Sequence, residues 1–414
     1  MADVTLSDQP IITSLLDLDV YKLRMGQFVF HRYRDTPVRY KLHNRTQEFP
    51  LTQYIPLEHL REELAHITSL TFSSEELLYL YSLPHMASDY VDSLTTAQLP
   101  PLRIEIDPEN KEQFIIETEV DSWNRLILWE TLVLSVVSEL FSRYYVAKHL
   151  HLSKVIIQGR ERLRYKITRL NFYPELALVD FGTRRRFAKW WQRYVVRQMT
   201  EGFSNNQFKG TSNVVLAKEF GIPTIGTMAH ELFMVIACLE DTDVWIYQSQ
   251  RKILEEWYSE YGGDLSIALS DTFGSDAFYN DFDRRIAKLY LGSRHDSGDP
   301  INYGERTINH YHRLGLHADS KAITFSDGLT YDGIIRLHCY FKNRIKQWYG
   351  WGTTETNDLG VPTLSIVMKA VEACGRSTVK LSDNLNKATG ELKRIDRFKQ
   401  IFGYTNTSSS ECVV

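Results

Sequence analysis

Arginine, histidine and aspartate residues stand in short polar segments that follow apolar stretches in the second half of the chain. The densest is SRHDSGDP (293–300), where Arg294 can make bidentate contacts to a phosphate or carboxylate. Asp296 in the same segment can accept hydrogen bonds from ribose hydroxyls or hold a metal through water. SDTFGSD (270–276) adds Asp271, which suits a magnesium-bound phosphate site or could orient a histidine. An Arg–Asp pair within a turn and a helix N-cap are the structural alternatives.

His230 follows the apolar run IPTIGTMA (222–229), which predicts a short buried strand that ends in a Gly-Thr turn. The context HELFM is not HExxH, because Met234 stands where a zinc protease has its second histidine. A histidine without context is most often a core residue, but this one lies among segments with anion-binding character. Since a neutral imidazole held by a carboxylate can attack phosphorus, a phosphorylated histidine is one hypothesis for His230.

A glycine-rich segment, YGWGTTETND (349–358), offers Gly350, Gly352 and Thr353 directly before a polar turn. Free backbone N–H groups in such a segment bind phosphate well. The segment lacks the lysine of GxxxxGK[ST] and the strand–GxGxxG–helix context. It therefore favours neither a nucleotide-hydrolase loop nor a dinucleotide-binding fold.

Composition and charge narrow the class of protein. The 414 residues are 43% hydrophobic and 24% charged, which is enough for a large core and two or three domains. A net charge of −4 does not favour nucleic acid as a partner, although the run Arg184–Arg186 fits a local anion site. The four cysteines form no CxxC pair, so we expect neither a zinc site nor a disulfide framework. This use of cysteine favours a reducing compartment.

No membrane partner is expected either. The first residues lack the basic and apolar regions of a secretion signal, and the most apolar helix candidate, 123–141, carries Arg125, Glu130 and Glu139. These charges predict a buried core helix. We therefore expect a soluble cytoplasmic protein, with the nucleus as a further compartment.

The elements that must position the chemistry fall into two parts. Residues 1–175 predict an α+β domain with helical patterns over 14–33, 58–95, 123–141 and 159–170, a strand over 38–45 and a two-stranded hairpin over 102–120. From residue 176, helical patterns alternate with the apolar segments LALV, FKG, IPTIG, LSIAL, KLYLG, AITF and IKQWYG.

Such alternation predicts a parallel sheet, and polar residues at the carboxyl ends of its strands are typical of an α/β barrel's active site. Ordinary turns are the alternative for any single segment. We expect a barrel-like domain over 176–365. Residues 366–403 either close the barrel or rejoin the N-terminal domain, and 404–414 form a flexible tail.

Taken together, eight stretches of the chain resemble the nicotinate phosphoribosyltransferase family: LLDLDVYKLRMGQ, DFGTRRRF, FKGTSNVVLAKEFGIPTIGTMAHE, SDTFGSDAF, RHDSGDP, FSDGL, GTTETND and KLSDN. The resemblance implies an irregular α/β barrel of the type II phosphoribosyltransferase kind. It also implies that nicotinate and 5-phosphoribosyl-1-pyrophosphate give nicotinate mononucleotide and pyrophosphate, in the salvage route to NAD. Coupling to ATP hydrolysis through a phosphohistidine at His230, with Mg²⁺, is implied as well.

The resemblance also implies roles for individual residues. Tyr21 and Phe181 would sandwich the pyridine ring, with Tyr21 donated by a partner subunit of a homodimer. Asp271 would orient His230 or steady its cationic ring, and Asp296 would face the ribose. The other implied contacts are Arg184, Thr211, Ser212, Arg294, Ser326, Asp327 and Gly328 for substrates, and Gly350, Gly352 and Thr353 for the 5-phosphate; no metal ligand is assigned.

Two positions bear on specificity and on the phosphate contacts. Ser212 stands where the related nicotinamide enzymes have an aspartate, which would accept from a carboxamide but repel a carboxylate. We therefore expect selectivity for nicotinate. Glu355 stands where the family has an apolar residue, and an anion beside a phosphate site is costly unless it points to solvent.

Several alternatives stay open on sequence grounds. They are a nicotinamide-type phosphoribosyltransferase and a non-catalytic phosphosugar-binding barrel in which His230 is structural. A phosphosugar isomerase or aldolase is disfavoured, because no lysine stands in the segments around His230 and Asp296. The other phosphoribosyltransferase fold usually has two adjacent acids after a strand, whereas LALVDFGT has one.

Overall fold

The structure is a computed structural model that describes residues 9–405. Residues 406–414, most of the predicted tail, lie outside the described part of the chain. The first half contains α1 Val20–Arg32, β1 Pro37–Asn44, α2 Leu51–Tyr54, α3 Leu57–Thr68, α4 Ser74–Ser82, α5 Ser88–Leu94, β2 Leu102–Ile106, β3 Phe114–Thr118, β4 Asp121–Ser122, α6 Trp123–Leu126, α7 Trp129–His149 and α8 Leu152–Leu170.

Most of the elements predicted for this half are present. The hairpin over 102–120 is the antiparallel pair β2 and β3, and the apolar segment is the buried helix α7. The helix predicted over 14–33 is wrong in its start. It begins at Val20, because the carbonyls of Leu16 and Leu18 accept instead from backbone N–H groups of the barrel. All its residues as far as Val29 are buried.

The second half alternates strands and helices: β5 Leu178–Asp180, α9 Lys189–Gly202, β6 Phe208–Thr211, α10 Val214–Phe220, α11 His230–Ile236, α12 Asp243–Tyr261, β7 Ile267–Leu269, α13 Ser275–Asp281, α14 Arg284–Leu289, β8 Gly292–His295, α15 Pro300–Arg313, β9 Ala322–Phe325, α16 Tyr331–Phe341, β10 Lys346–Trp351 and α17 Thr353–Thr356. The strands form a parallel sheet in the order β6–β5–β10–β9–β8–β7. The predicted α/β class with a parallel sheet is confirmed.

An irregular segment, 222–228, lies between the two ends of this sheet and takes the place of a barrel strand. The N–H of Ile225 donates to the carbonyl of Thr211 in β6 over 2.9 Å. On the other side, Thr227 Oγ1 donates to the carbonyl of Ile267 in β7 over 3.4 Å. The strand predicted at IPTIG is therefore wrong, because Pro223 has no N–H to donate and only an isolated bridge forms, between Thr211 and Thr224.

A second apolar segment is a strand only at its last residue. Lys288 and Leu289 of KLYLG end α14, which Asp283 caps by accepting from the N–H of Ile286. The strand begins afterwards, at Gly292. A Cβ at that glycine would lie 1.9 Å from the carbonyl oxygen of Ala322, so β8 needs glycine where it approaches β9.

The C-terminal segment returns to the first half of the chain. Its elements are β11 Ile366–Ala373, β12 Arg376–Ser377 and α18 Leu392–Phe402. β11 pairs antiparallel with β1, so the N-terminal sheet has the order β12–β11–β1–β3–β2, with β4 beside β1. Of the two courses left open by the sequence, this strand takes the one that rejoins the N-terminal sheet.

Between β12 and α18, the chain also touches the barrel. The N–H of Leu381 donates to the carbonyl of Thr272 over 2.8 Å. This contact carries Lys380 to the carboxyl ends of the parallel strands. Within residues 9–405, no helix is both long and apolar enough to cross a membrane.

Candidate active site

A cavity of about 510 Å³ opens between the carboxyl ends of the parallel strands and the N-terminal sheet. It brings together most of the residues that the sequence singled out. Its lining includes Tyr21, Phe181, Arg184, Ser212, His230, Arg294, Asp296, Ser326, Asp327, Gly328, Gly350, Gly352 and Thr353. Side chains separated by more than 300 positions therefore share one site, at the end of the sheet where α/β barrels carry their chemistry.

Thr211 and Asp271 are predicted site residues that do not line the cavity. Thr211 is buried below it and donates to Asp180 Oδ2 over 2.6 Å. Asp271 is also buried and accepts from Ser297 Oγ over 2.6 Å. The structure gives Asp271 a supporting position behind His230, and it gives Thr211 no direct access to a ligand.

His230 is the first residue of α11 and is mostly buried. Its Nδ1 lies 2.9 Å from Thr272 Oγ1. Its Nε2 lies 2.9 Å from Asp296 Oδ2 and also 2.9 Å from Lys380 Nζ. The ammonium can only donate and favours a lone pair on Nε2, whereas the carboxylate of Asp296 can only accept and favours a proton there.

The charge state of His230 suits a nucleophile. Burial, together with the nearby ammonium of Lys380, lowers the pKa of the imidazole to about 4, although Asp271 opposes this shift. The ring is therefore neutral at physiological pH. A neutral imidazole with a lone pair on Nε2 can attack an electrophilic phosphorus.

Asp271 and Asp296 surround the same nitrogen with negative charge. Burial opposes ionisation of Asp296, but Arg294 and His230 hold the pKa of this carboxyl well below its usual range. Burial likewise opposes ionisation of Asp271, and Lys380 overcomes it, so the pKa of Asp271 is also low. Two carboxylates and one ammonium thus fix the position of the imidazole.

Two aromatic residues, Tyr21 and Phe181, also line the cavity. The Tyr21 hydroxyl donates to Glu130 over 3.1 Å, and the guanidinium of Arg184 lies 6.0 Å from the centre of the Tyr21 ring. Within the chain itself, Tyr21 already lines the same cavity as Phe181. A homodimer, and a Tyr21 donated by its partner subunit, stay predictions.

Ser212 lies beside a carboxylate that sequence reasoning missed. Its hydroxyl donates to Asp19 Oδ1 over 2.5 Å, and Asp19 lies 3.7 Å from the guanidinium of Arg184. Burial raises the pKa of Asp19, which makes its neutral form easier to reach. Serine at 212 therefore does not by itself free this end of the cavity from carboxylates.

Five further cations line the cavity that were not among the individually predicted site residues: Arg45, Arg185, Lys369, Lys380 and Lys387. Lys369 is half-buried, and desolvation together with the charges of Lys380 and Arg45 lowers its pKa well below the usual value. Such crowding of positive charge fits a polyanionic ligand. The run Arg184–Arg186 and the stretch KLSDN indicated part of this positive charge in the sequence. Arg45 directly follows β1, and Lys369 lies in β11, the strand that pairs with β1, so their spacing along the chain could not associate them.

The glycine-rich turn follows β10 and begins α17. A Cβ at Gly350 would lie 2.3 Å from the Phe181 ring, so glycine is required for the ring to lie against the strand. Backbone N–H groups in the first turn of a helix have no acceptor within it and can face a phosphate. Glu355, whose charge would be costly unless it pointed to solvent, is instead a buried residue of α17.

Comparison with known proteins agrees with this geometry. Residues 16–138 match the N-terminal domain model, and residues 176–406 the main model, of the nicotinate phosphoribosyltransferase family. Nicotinate phosphoribosyltransferase of Acinetobacter baylyi is 41% identical over 395 residues, covering 92% of this chain and 94% of the relative. That of a serogroup C strain of Neisseria meningitidis is 40% identical, with 95% and 97% covered.

Solved structures give the same result. The crystal structure of nicotinate phosphoribosyltransferase from Vibrio cholerae superposes with a TM-score of 0.86 at 35% identity and covers 97% of this chain and 96% of its own. A putative nicotinate phosphoribosyltransferase from Saccharomyces cerevisiae has a TM-score of 0.85 at 29% identity, with 96% and 100% covered. The sequence, the fold and the residues of the cavity agree, and this chain belongs to the nicotinate phosphoribosyltransferase family.

Proposed function

We propose that this protein transfers the phosphoribosyl group of 5-phosphoribosyl-1-pyrophosphate to nicotinate, giving nicotinate mononucleotide and pyrophosphate for the synthesis of NAD. The observation that carries the proposal is the single cavity that holds an aromatic pair, a phosphate-binding turn and a cluster of cations. These three features correspond to the pyridine ring, the 5-phosphate and the pyrophosphate. Family membership supports the same reaction.

The residues present suit this chemistry. Departure of pyrophosphate leaves positive charge at C1 of the ribose, so positioning and electrostatics matter more than a strong base. Phe181 and Tyr21 would hold the ring, and Arg184 would attract the nicotinate carboxylate. Lys380 and Lys387 would stabilise the leaving pyrophosphate. Asp296, which faces the cavity, would hold the ribose hydroxyls.

The coupling to ATP would proceed at His230. In this step, the lone pair of Nε2 forms a bond to the γ-phosphorus of ATP while the bond from that phosphorus to the β,γ-bridging oxygen breaks. The electron pair leaves with ADP. Asp271 and Asp296 would stabilise the positive charge that develops on the imidazole, and water would later cleave the phosphohistidine to release phosphate.

Mg²⁺ is proposed as a companion of the phosphates rather than as a resident ion of the histidine cluster. His230, Asp271 and Asp296 offer ligand atoms within 4.8 Å of one another. However, Lys380 Nζ lies 2.9 Å from His230 Nε2 and 3.4 Å from Asp271 Oδ2, where it already supplies a positive charge. This cluster therefore does not fit a resident magnesium ion.

Turnover of nicotinate and 5-phosphoribosyl-1-pyrophosphate, with and without ATP, tests the proposal. The wild type is expected to form nicotinate mononucleotide, and ATP is expected to stimulate it. His230→Ala should lose the stimulation and the acid-labile phosphate that ATP leaves on the protein. His312→Ala, which changes an exposed histidine, is the matched control. Stimulation retained in His230→Ala would remove the phosphohistidine but leave the transferase; no product with any pyridine substrate would favour a binding protein.

A further inference from the structure

Glu355 is a buried carboxyl group that the reaction above does not use. It lies in α17, two residues after Thr353, and it is 2% exposed. Among the described residues, no donor forms a hydrogen bond with either of its carboxyl oxygens. An ionised carboxylate in this position would lack the hydrogen bonds that buried charges normally have.

The charged groups that face Glu355 are Asp180 from β5 and Lys166 from α8. Lys166 is directed elsewhere, because its ammonium donates to the carbonyl of Thr354 and lies 2.7 Å from Asp358. Asp180 is fully buried, and Asp19 adds further negative charge near it. Glu355 therefore meets a second carboxyl group rather than a counter-ion.

Asp180 has room for one more donor. It accepts from the N–H of Gly182 over 2.7 Å on Oδ1, and from Thr211 and Gln192 on Oδ2 over 2.6 Å and 3.0 Å. A carboxylate offers about four acceptor positions, so one position on Oδ1 is left. Two carboxyl groups that share one buried site do not both ionise, because their negative charges repel each other. A proton shared between them removes this repulsion.

We propose that Glu355 carries a proton and donates it to Asp180, and that this bond makes Glu355 a positioning residue for the phosphate-binding turn. The inference rests on the proposed function, since it assigns that turn to the phosphoribosyl donor. Burial first, and then the charge of Asp180, raises the pKa of Glu355 well above its usual value. Burial also raises the pKa of Asp180, to about 6.

The bond would join the two segments that hold the substrates. Asp180 directly precedes Phe181, whose N–H donates to the carbonyl of Trp351 in β10. Thr356, next to Glu355, donates through its hydroxyl to the carbonyl of Gly182 over 3.0 Å. Loss of the proton would therefore push α17 away from β5 and would place a second negative charge below the bound phosphate.

The test compares wild type with Glu355→Gln, whose amide can still donate to Asp180 but cannot ionise. The KM for 5-phosphoribosyl-1-pyrophosphate is measured from about pH 6 to about pH 10. For the wild type, we expect this KM to rise about tenfold toward alkaline pH, the effect of one pKa unit of coupling between proton and phosphate. In Glu355→Gln the rise should be absent, while the KM for nicotinate changes much less in both proteins.

Glu62→Gln, which changes an exposed glutamate of α3, is the matched control and should follow the wild type. A second readout needs no activity. Because the folded protein would hold the Glu355 proton more tightly than the unfolded chain, stability falls as the pH rises from about 4.5 to the folded pKa. The melting temperature of the wild type should thus fall with pH more steeply than that of Glu355→Gln.

Each outcome is decisive. Parallel KM profiles and parallel melting profiles in wild type and Glu355→Gln would overturn the shared proton. If the wild type turns over no nicotinate at any pH, the proposed function fails. In that case, a steeper melting profile of the wild type still supports the proton between Glu355 and Asp180, and a parallel one overturns it.

Discussion

The ammonium of Lys380 lies 2.9 Å from Nε2 of His230. The two residues are 150 positions apart and belong to different parts of the fold, the segment after β12 and the start of α11. Their contact joins the C-terminal segment to the carboxyl ends of the barrel strands. It also makes the charge state of the histidine depend on a residue to which the sequence assigned no role.

We predict that Lys380→Met raises the pKa of His230. Burial would still favour the neutral ring, but Asp271 and Asp296 would no longer be opposed by the ammonium. The wild-type imidazole is neutral above about pH 4, whereas the variant should bind a proton closer to neutrality. Titration of the ring by NMR measures the shift.

A functional consequence follows in the same variant. In this variant, the rate at which ATP phosphorylates His230 should fall toward acidic pH, and more steeply than in the wild type. The reason is that a protonated imidazole has no free lone pair on Nε2. Lys393→Met removes an exposed ammonium and is the control. An unchanged His230 titration in Lys380→Met would show that the ammonium does not set the pKa.

Gly350→Ala is predicted to weaken the binding of nicotinate. The added Cβ would lie 2.3 Å from the Phe181 ring, so the ring must move from its place in the cavity. We expect the KM for nicotinate to rise at least about tenfold, which corresponds to about 1.4 kcal/mol of lost binding. Steady-state kinetics measures it, with Gly263→Ala as the control because a Cβ there meets open space. Unchanged kinetics would mean that Phe181 does not hold the ring.

Ser212→Asp is predicted to shift selectivity from nicotinate toward nicotinamide. The new carboxylate would stand beside Asp19 and add negative charge where Arg184 would attract the nicotinate carboxylate. We expect the ratio of kcat/KM for the two substrates to change about tenfold or more. Ser212→Ala separates loss of the hydroxyl from gain of charge. If Asp and Ala change the ratio equally, charge at position 212 does not determine the selectivity.

Asp17→Asn is predicted to lower the stability of the fold rather than to change the catalytic reaction. Asp17 makes two hydrogen bonds with the guanidinium of Arg186, over 2.7 Å and 3.0 Å, and both residues are buried. Removing one partner of a buried ion pair costs about 3–5 kcal/mol. Glu139, whose Oε2 lies 3.7 Å from Arg186 Nε, offsets only part of this loss. Thermal unfolding of the variant against Asp319→Asn, an exposed change, measures this loss.

The pH dependence of this variant has a definite sign. Burial opposes ionisation of Asp17, but Arg186 and Lys189 hold its pKa below the usual 3.8. Its stabilising effect is therefore complete above about pH 3.8 and is lost as the pH falls further. The gap between wild type and Asp17→Asn should narrow in acid. A constant gap would contradict the assigned ion pair.

Local pattern was sufficient for much of the fold. The hairpin of β2 and β3, the buried helix α7 and the strands AITF and IKQWYG follow from apolar periodicity. Apolar periodicity gave the wrong element where the local structure depends on tertiary contacts or on helix capping. Pro223 prevents a ladder at IPTIG, and Leu289 and Tyr290 belong to the end of a helix rather than to a strand. Periodicity contains neither kind of information.

The site shows the same division. Residues on the strand-end segments, such as His230, Arg294 and Asp296, were found because their types are unusual for turns. Lys369 was missed because its position depends on β11 pairing with β1, and Lys380 because it reaches the site through the contact of Leu381 with Thr272. Glu355 was recognised as a departure, but its burial beside Asp180 required the structure.

Product analysis of the wild type, incubated with nicotinate, 5-phosphoribosyl-1-pyrophosphate, Mg²⁺ and ATP, tests the central claim most directly. If the cavity joins the pyridine ring to the ribose, nicotinate mononucleotide and pyrophosphate will form in equal amounts, and Gly350→Ala will form them less efficiently. Pyrophosphate released without a pyridine nucleotide, or preferential use of nicotinamide, would contradict the account.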